Sequence, residues 1–319
     1  MNKYNSYKNL LSMIMLVGLT VSSFVQAKNE LADAINLDYQ DRLGAMFKDF
    51  HANPELSTAE FVTAKKMAKA LRNHGFDVTE SVGGTGIVAL LENGPGPLVM
   101  MRADMDGLPV KEMSGLPYAS KATQLDPITN KTFPVMHACG HDVHITSLIG
   151  TAKQMVDLKE HWSGTLMLIG QPAEERVIGA RAMMEDNLWQ RFGKPDYALA
   201  FHVSSILPSG VINVVEGAPF AGADTVDIYV RGIGAHGASP HAGKDPIVLG
   251  SQIVMALQTL VSRELSPRQP GVVTVGAFHS GSKHNIISEL AHLQLTVRNT
   301  NLDTRDTLLK GIKRIAENL

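Results

Sequence analysis

The sequence has 319 residues, of which 44% are hydrophobic and 19% are charged, and its formal net charge is −2. These values are typical of a globular chain with room for about two domains, and they exclude a disordered protein. The near-neutral charge and an aromatic content of 6% also argue against nucleic acid or an anionic membrane surface as a partner.

The N-terminal segment predicts export. Lys3 and Lys8 precede an apolar stretch, residues 10–25, which ends in Val25-Gln26-Ala27. A basic start, a short apolar core and a small residue at the exit are typical of a secretory signal, here residues 1–27 with cleavage after Ala27. The alternative is a membrane anchor, but the stretch is shorter than the ~20 residues of a spanning helix. We therefore expect an exported protein without a membrane segment after cleavage, periplasmic in a Gram-negative bacterium.

Strands and helices alternate through the first predicted domain, residues 28–221. The predicted helices span 38–60, 63–74 and 143–156, and the predicted strands span 76–78, 87–91, 97–102, 164–170 and 197–202. Between the first two strands lies Gly83-Gly84-Thr85-Gly86. This cluster lacks the dinucleotide fingerprint and the lysine of a P-loop, so it predicts a hairpin turn rather than a phosphate site.

Polar side chains gather where these strands end. Asp104, Asp106, Glu174, Glu175 and His202 all fall at or just past the end of an apolar strand. The alternation predicts the α/β class, with an open, mostly parallel sheet and helices on both faces. Sites in such folds lie outside the carboxyl ends of the strands.

A second predicted domain covers residues 222–319. Its predicted strands span 225–230, 272–278 and 293–298, and its predicted helices span 245–264 and 303–318. The order β-α-β-β-α is typical of a small α+β sandwich.

Cys139 is the only cysteine of the chain. A lone cysteine in an exported protein cannot pair within its own chain, so it is a buried hydrophobe, a free thiol or a metal ligand. His137 and His141 flank it, with a glycine between Cys139 and His141. This spacing favours the ligand, because two residues separated by one on a turn can both point into one site.

The adjacent pair Glu174-Glu175 offers a second ligand and a base. Two neighbours on an extended segment point in different directions, so one can bind metal while the other takes a proton from metal-bound water. Alone, the pair could be a solvated charged surface, and His202 could be a structural histidine. Asp104 and Asp106 could serve a turn. Their common placement at strand ends favours a metal site.

The glycine-rich segment from Gly232 to Pro240 carries His236. It is either a flexible turn or a loop that presents His236 to an anionic transition state. The chemistry of the residues alone leaves both readings open.

Six motifs together resemble one family of metallohydrolases. They are Arg102-Ala103-Asp104-Met105-Asp106-Gly107-Leu108-Pro109, residues 136–142, residues 171–175, residues 234–240, Asn285-Ile286-Ile287 and Thr296-Val297-Arg298. The chain resembles the aminoacylase and carboxypeptidase superfamily, in the branch of hippurate hydrolases and auxin-conjugate amidohydrolases. The match runs in order from about residue 38 to the last residue.

The resemblance implies a two-metal catalytic domain, with manganese or zinc, or else nickel or cobalt. The positions that match metal ligands are Cys139, His141, Glu175 and His202. Glu174 matches the general base. Asp106, which we count with Glu174 and His236 among the expected catalytic residues, and Asp104 match strand-end acids near the metals. The implied reaction is hydrolysis of the amide bond of an N-acyl amino acid or small peptide with a free carboxylate.

The resemblance also implies a lid domain, residues 222–319, through which a homodimer forms. His236 matches a lid histidine that the partner subunit contributes to the oxyanion. Asn285 and Arg298 match lid residues that hold the substrate carboxylate, a role that suits an arginine.

The family's chain is expected to return from the lid for about another hundred residues, with a last lid strand and a final histidine ligand. For a chain that ends at Leu319, the resemblance therefore predicts two incomplete domains and weak or no hydrolysis. The alternative function is an inactive metal-binding fragment of such an enzyme. A third, an exported solute-binding protein, is disfavoured because binding alone needs no base beside a metal cluster.

Overall fold

A computed structural model describes residues 30–217 and 220–319. The predicted secretory signal, residues 1–27, lies outside them and stays a prediction. The described chain divides into two compact units, one that reaches Ile206 and one formed by Leu207–Leu319. The predicted domain boundary between residues 221 and 222 lies near the start of the second unit.

Helices and strands alternate in the first unit. Its strands are β1 (Asp77–Val82), β2 (Gly86–Asn93), β3 (Leu98–Asp104), β4 (Thr123–Asp126), β5 (Lys131–Pro134), β6 (Gly164–Gln171) and β7 (Tyr197–Ala200). Its helices are α1 (Gly44–Ala52), α2 (Phe61–Asn73), α3 (His141–Asp157), α4 (Gly179–Glu185) and α5 (Leu188–Phe192). Residues 30–38 are also helical and continue through a π-helical turn, Tyr39–Leu43, into α1. A 3₁₀ turn, Lys159–His161, follows α3.

Five strands form one open sheet in the order β1-β2-β6-β3-β7. β3 runs parallel to β6 and to β7, whereas β1 with β2 and β2 with β6 are antiparallel. The α/β class is thus confirmed, and the sheet is mixed, with its parallel part confined to three strands. Because β3, β6 and β7 are parallel, their carboxyl ends meet at one edge of the sheet, beside residues 104–106, 172–175 and 201–203.

Both faces of this sheet are covered by helices, as predicted. Along β6, Leu166 and Leu168 pack into a core with α2 and α3, while Met167 and Ile169 pack into a second core with α4 and α5. Alternate side chains of a strand point to opposite faces, so β6 is buried on both. Helices thus pack on both faces of the sheet beneath the edge that carries the polar residues.

Several predicted boundaries need correction. The helix expected over 38–60 is wrong in its last part, because the helix ends at Ala52. Pro54 explains the stop, since the residue before a proline is driven out of the helical region, and Asn53 has φ −128° and ψ 55°. The strand expected to reach His202 ends at Ala200, so His202 lies in a loop. The hairpin turn at residues 83–86 is confirmed by the antiparallel pairing of β1 and β2.

The second unit contains a three-stranded antiparallel sheet in the order β10-β12-β8 and a short β9–β11 ribbon. Its strands are β8 (Gly222–Arg231), β9 (Ala235–His236), β10 (Gly271–Ser280), β11 (Ile286–Ile287) and β12 (Leu290–Asn299). Its helices are α6 (Pro246–Thr259), continued by a π-helical turn, Leu260–Glu264, and α7 (Leu302–Asn318), with a 3₁₀ turn at Pro240–Ala242. The main elements follow the predicted β-α-β-β-α order.

One face of the second sheet forms this unit's core. Leu293 and Leu295 of β12 pack with Leu257 of α6 and Leu308 of α7. The side chains of Asp245 and Asn301 accept hydrogen bonds from backbone N–H groups in the first turns of α6 and α7. The caps set where both helices begin, and the apolar stripes of the helices set which side faces the sheet.

Among residues 30–217 and 220–319, no helix combines the length and apolar character that crossing a membrane requires.

Replacing Leu168 by alanine tests the buried face of β6. This side chain has no exposed surface, so the variant should lose about 2–5 kcal/mol of unfolding free energy, measured by urea denaturation. Leu125→Ala in β4 is the matched control, because Leu125 is 54% exposed and its loss should cost less than about 0.5 kcal/mol. Equal stability of the two variants would contradict the assigned core.

Candidate metal centre

The turn before α3 places the first two predicted ligands. Cys139 precedes Gly140, which has a φ of +80°, and α3 begins at His141. A Cβ at position 140 would lie 2.3 Å from a methyl carbon of Val203. Only glycine fits both this backbone conformation and this space. The close approach brings the loop after β7 against the turn, and Cys139 Sγ lies 3.3 Å from His202 Nε2.

The fully buried ring of His141 lies among four carboxylates. Its Nε2 is 3.5 Å from Asp104 Oδ2 and 3.8 Å from both Glu174 Oε2 and Glu175 Oε1. On the other side of the ring, Nδ1 is 3.4 Å from Asp106 Oδ1. The structure therefore brings together the strand-end acids and the histidine that the sequence singles out.

These donors fit a divalent metal ion. Two sets of donor atoms, each within 4.8 Å of one another, are Cys139–His141–His202 and His141–Glu174–Glu175. Within the described part of the chain, neither ring nitrogen of His141 makes a hydrogen bond of good geometry, and Glu175 Oε1 is likewise buried without one. Buried polar atoms are normally satisfied, and mixed sulfur, nitrogen and oxygen donors are the ligand chemistry of first-row divalent metals.

The raised pKa values of Cys139 and Glu175 also support a cation at this centre. Burial raises the pKa of the Cys139 thiol to about 12, and the carboxylates of Glu175, Glu174 and Asp104 add to that rise. Burial likewise raises the pKa of Glu175, although His141 opposes the shift. Both groups are held toward their neutral forms, first by burial and then by the negative charges beside them. A bound divalent cation reverses this preference and favours the thiolate and the carboxylate.

A third set of donors, Asp104–His141–His144, is instead a hydrogen-bonded support. His144 Nε2 accepts a hydrogen bond from the backbone N–H of Val203 at 3.0 Å, so its proton lies on Nδ1, which donates to Asp104 Oδ1 at 2.6 Å. Burial acts to raise the pKa of Asp104, but His144 and the Arg102 guanidinium outweigh it and hold that pKa well below its usual range. Both ring nitrogens of His144 are therefore hydrogen-bonded, and through Val203 they fix the loop that carries His202.

Asp106 supports the carboxylate pair. Its Oδ1 and Oδ2 accept hydrogen bonds from the backbone N–H groups of Glu174 and Glu175, each at 3.1 Å, and Oδ2 also accepts from Ser57 Oγ at 2.6 Å. Burial acts to raise the pKa of Asp106, but contacts with His141, Ser57 and the Glu175 amide lower it overall. Asp106 is therefore an anionic anchor of the glutamate pair, and it lies behind the Nδ1 side of the His141 ring.

In the second unit, His236 and Asn285 are neighbours. His236 in β9 pairs with Ile286 of β11, and the Asn285 carbonyl accepts from the Gly237 N–H at 2.8 Å. Arg298 is near the far end of β12, opposite Val272. β12 begins at Leu290, shortly after Asn285, and Arg298 lies about 27 Å further along the strand. Arg298 is therefore far from the start of β12, which is the end closer in sequence to Asn285.

Two histidines near the metal centre, His144 and His51, were not predicted from the sequence, for different reasons. His144 lies three residues after His141 on the same helix, a spacing that places both on one face, so the sequence did contain a signal. His51, by contrast, contacts Asp142 Oδ2 at 2.7 Å and Glu112 Oε1 at 3.0 Å. Burial acts to lower the pKa of His51, but the two carboxylates outweigh it and raise that pKa. These partners are 91 and 61 residues away, so no local pattern reveals them.

Comparisons with known proteins show what this chain is similar to. The family model of peptidase family M20/M25/M40 matches residues 100–311. Hippurate hydrolase of Campylobacter jejuni is 38% identical over 284 residues, which cover 89% of this chain and 71% of that protein. Thermostable carboxypeptidase 2 of Saccharolobus solfataricus is 38% identical, with 88% of this chain and 70% of that protein covered. The crystal structure of the Bacillus subtilis YXEP protein, described as a dinuclear metal-binding peptidase of the M20 family, superposes with a TM-score of 0.69 at 32% identity and covers 88% of this chain and 69% of that one.

His141→Ala should remove metal binding. His141 belongs to every donor set of the centre, and loss of even an indirect support commonly weakens metal affinity by about 10–100-fold. We therefore expect a fall of about 100-fold or more in Zn²⁺ or Mn²⁺ affinity by calorimetry. His161→Ala, at an exposed site after α3, is the matched control and should bind as the unaltered chain does. Unchanged affinity in a folded His141→Ala variant would place the metal elsewhere.

Proposed function

The chain belongs to peptidase family M20/M25/M40, and from this we propose that it hydrolyses the amide bond of N-acyl amino acids or small peptides with a free carboxylate. The observation that carries the proposal is the cluster around His141, where a thiol, histidines and two adjacent glutamates meet at the carboxyl edge of the sheet. The hippurate hydrolase and carboxypeptidase relatives act on substrates of this class by their names.

The residues we propose as ligands of two divalent ions, manganese or zinc, are Cys139, His141, Glu175 and His202. When bound, such ions polarise the substrate carbonyl and acidify the attacking water. The two glutamates differ in a way that supports their roles. The side chain of Glu175 is 18% exposed and that of Glu174 is 39% exposed. The more buried Glu175, with its unsatisfied Oε1, suits a ligand, and the more open Glu174 suits contact with substrate.

Glu174 is the proposed general base. Its carboxylate Oε2 is 3.8 Å from His141 Nε2, so it borders the donor cluster while remaining open to solvent. There it can take a proton from the attacking water and return it to the leaving amine. Its backbone N–H is bound by Asp106, which fixes the chain from which the carboxylate projects.

The second unit supplies the proposed substrate contacts, within a homodimer formed through it. His236 Nδ1 accepts a hydrogen bond from the Ala238 N–H at 3.1 Å, so a neutral ring carries its proton on Nε2. The exposed Nε2–H is then a donor suited to an oxyanion in the partner subunit's site. Asn285, just before β11, and Arg298, near the C-terminal end of β12, remain our candidates to hold the substrate carboxylate.

Glu174→Gln tests this assignment. The amide keeps the size of the side chain but cannot take a proton, so turnover of N-benzoylglycine or N-acetyl amino acids should fall by about 100-fold or more. Metal content, measured by elemental analysis, should stay unchanged, because Glu174 is not a proposed ligand. Glu185→Gln, on the exposed side of α4, is the control and should keep full activity.

This experiment distinguishes an amidohydrolase from an inactive metal-binding protein. If the chain binds metal but its turnover is equally low with glutamate and with glutamine at position 174, it is an inactive metal-binding protein. The hydrolase proposal then fails for this chain.

A further inference from the structure

The loop that carries Glu174 and Glu175 has an unusual backbone. Ala173 and Val177 adopt positive φ values of 46° and 56°, a region that side-chain-bearing residues rarely occupy and that is energetically unfavourable for them. Ala173 is also buried. Such a conformation persists only where neighbouring groups hold it, so something must hold Ala173.

The Glu60 carboxylate accepts a hydrogen bond from the backbone N–H of Ala173. Glu60 directly precedes α2 and is fully buried. Its Oε1 accepts a hydrogen bond from the Ala173 N–H at 2.7 Å, and its Oε2 is bound by the Thr85 hydroxyl from the β1–β2 turn. One carboxylate therefore links α2, the hairpin turn and the loop that carries the catalytic pair.

Three further backbone groups of the loop are also bound. The two N–H groups after Ala173, those of Glu174 and Glu175, are taken by Asp106. The Ala173 carbonyl accepts from the Gly179 N–H at 3.2 Å, which closes the loop onto α4. Two buried carboxylates thus bind three successive backbone N–H groups, and the first of the three belongs to the strained residue.

We propose that Glu60 is a positioning residue, which holds Ala173 in its left-handed conformation and so sets the directions of Glu174 and Glu175. The inference rests on the proposed function for its kinetic consequence but not for its structural one. Without the Glu60 acceptor, the buried Ala173 N–H loses its partner, and Ala173 can relax to a negative φ. That relaxation rotates the following peptide and turns both glutamates away from their places.

Burial raises the pKa of Glu60, against the hydrogen bonds from Thr85 and Ala173. The two hydrogen bonds of Glu60 can also be made by a neutral side chain at this position. In Glu60→Gln, the amide oxygen can accept from Ala173 and the amide nitrogen can donate to the Thr85 hydroxyl. This variant should therefore behave as the unaltered protein does.

The decisive variant is Glu60→Met, which keeps the length of the side chain and removes both acceptors. Amide hydrogen exchange of the full chain should show at least 10-fold faster exchange at residues 173–175, with no change in α3 or in the second unit. If the chain turns over substrate, kcat should fall by 10- to 100-fold while KM changes less than 3-fold. Adding Ala173→Gly should recover at least 5-fold of the lost kcat, because glycine adopts a positive φ without help.

Glu55→Met is the matched structural control. Glu55 caps the start of α2 through the N–H groups of Val62 and Thr63 and does not contact the 173–175 loop through its side chain. It should lower the melting temperature without changing loop exchange or kcat. If Glu60→Met does not fold, Thr85→Val removes one of the two bonds to Glu60 and should raise loop exchange in the same direction by a smaller factor.

Two results would overturn the proposal. One is unchanged exchange at residues 173–175 in folded Glu60→Met. The other is faster exchange spread evenly over the first unit, with no recovery by glycine at position 173, which would make Glu60 a general stabiliser. A chain with no hydrolysis at all defeats the proposed function, whereas the exchange measurement still decides the role of Glu60.

Discussion

The crowding of negative charge around one buried histidine is the constraint on which this protein depends. Asp104, Asp106, Glu174 and Glu175 all approach the ring of His141 within 4 Å. Carboxylates placed so close together repel one another, and burial together with these charges raises the pKa of the Cys139 thiol to about 12. Such a cluster is costly to fold without a cation, so the architecture is best understood as a site built for metal ions.

Three buried side chains hold the segments that carry the proposed ligands. Asp104 and His144 fix the loop that carries His202, while Asp106 fixes the amides of the glutamate pair. The parallel strands bring these side chains to one edge of the sheet, and helices pack on both faces beneath it. Precise placement of donors needs such supporting groups, because the ligands alone do not orient one another.

Much of this could be predicted from local patterns. The two-residue spacing of Cys139 and His141 and the acids that follow apolar strands are short-range signals, and the strand alternation predicted the α/β class. The end of α1 was missed because one residue, Pro54, overrode a helical hydrophobic pattern. Glu60 was missed for another reason, since its contact with Ala173 spans 113 residues and joins parts of the chain that only the folded sheet brings together.

We propose that Cys139 binds metal as a thiolate, and the absorption spectrum of the Co²⁺-loaded chain tests this role most directly. A cysteine thiolate bound to Co²⁺ gives a sulfur-to-metal charge-transfer band in the near ultraviolet. Since Cys139 is the only cysteine of the sequence, no other residue can produce that band. We expect it to appear with stoichiometric Co²⁺ and to vanish in Cys139→Ser. Binding of Co²⁺ without the band, or a band that persists in Cys139→Ser, would contradict the account.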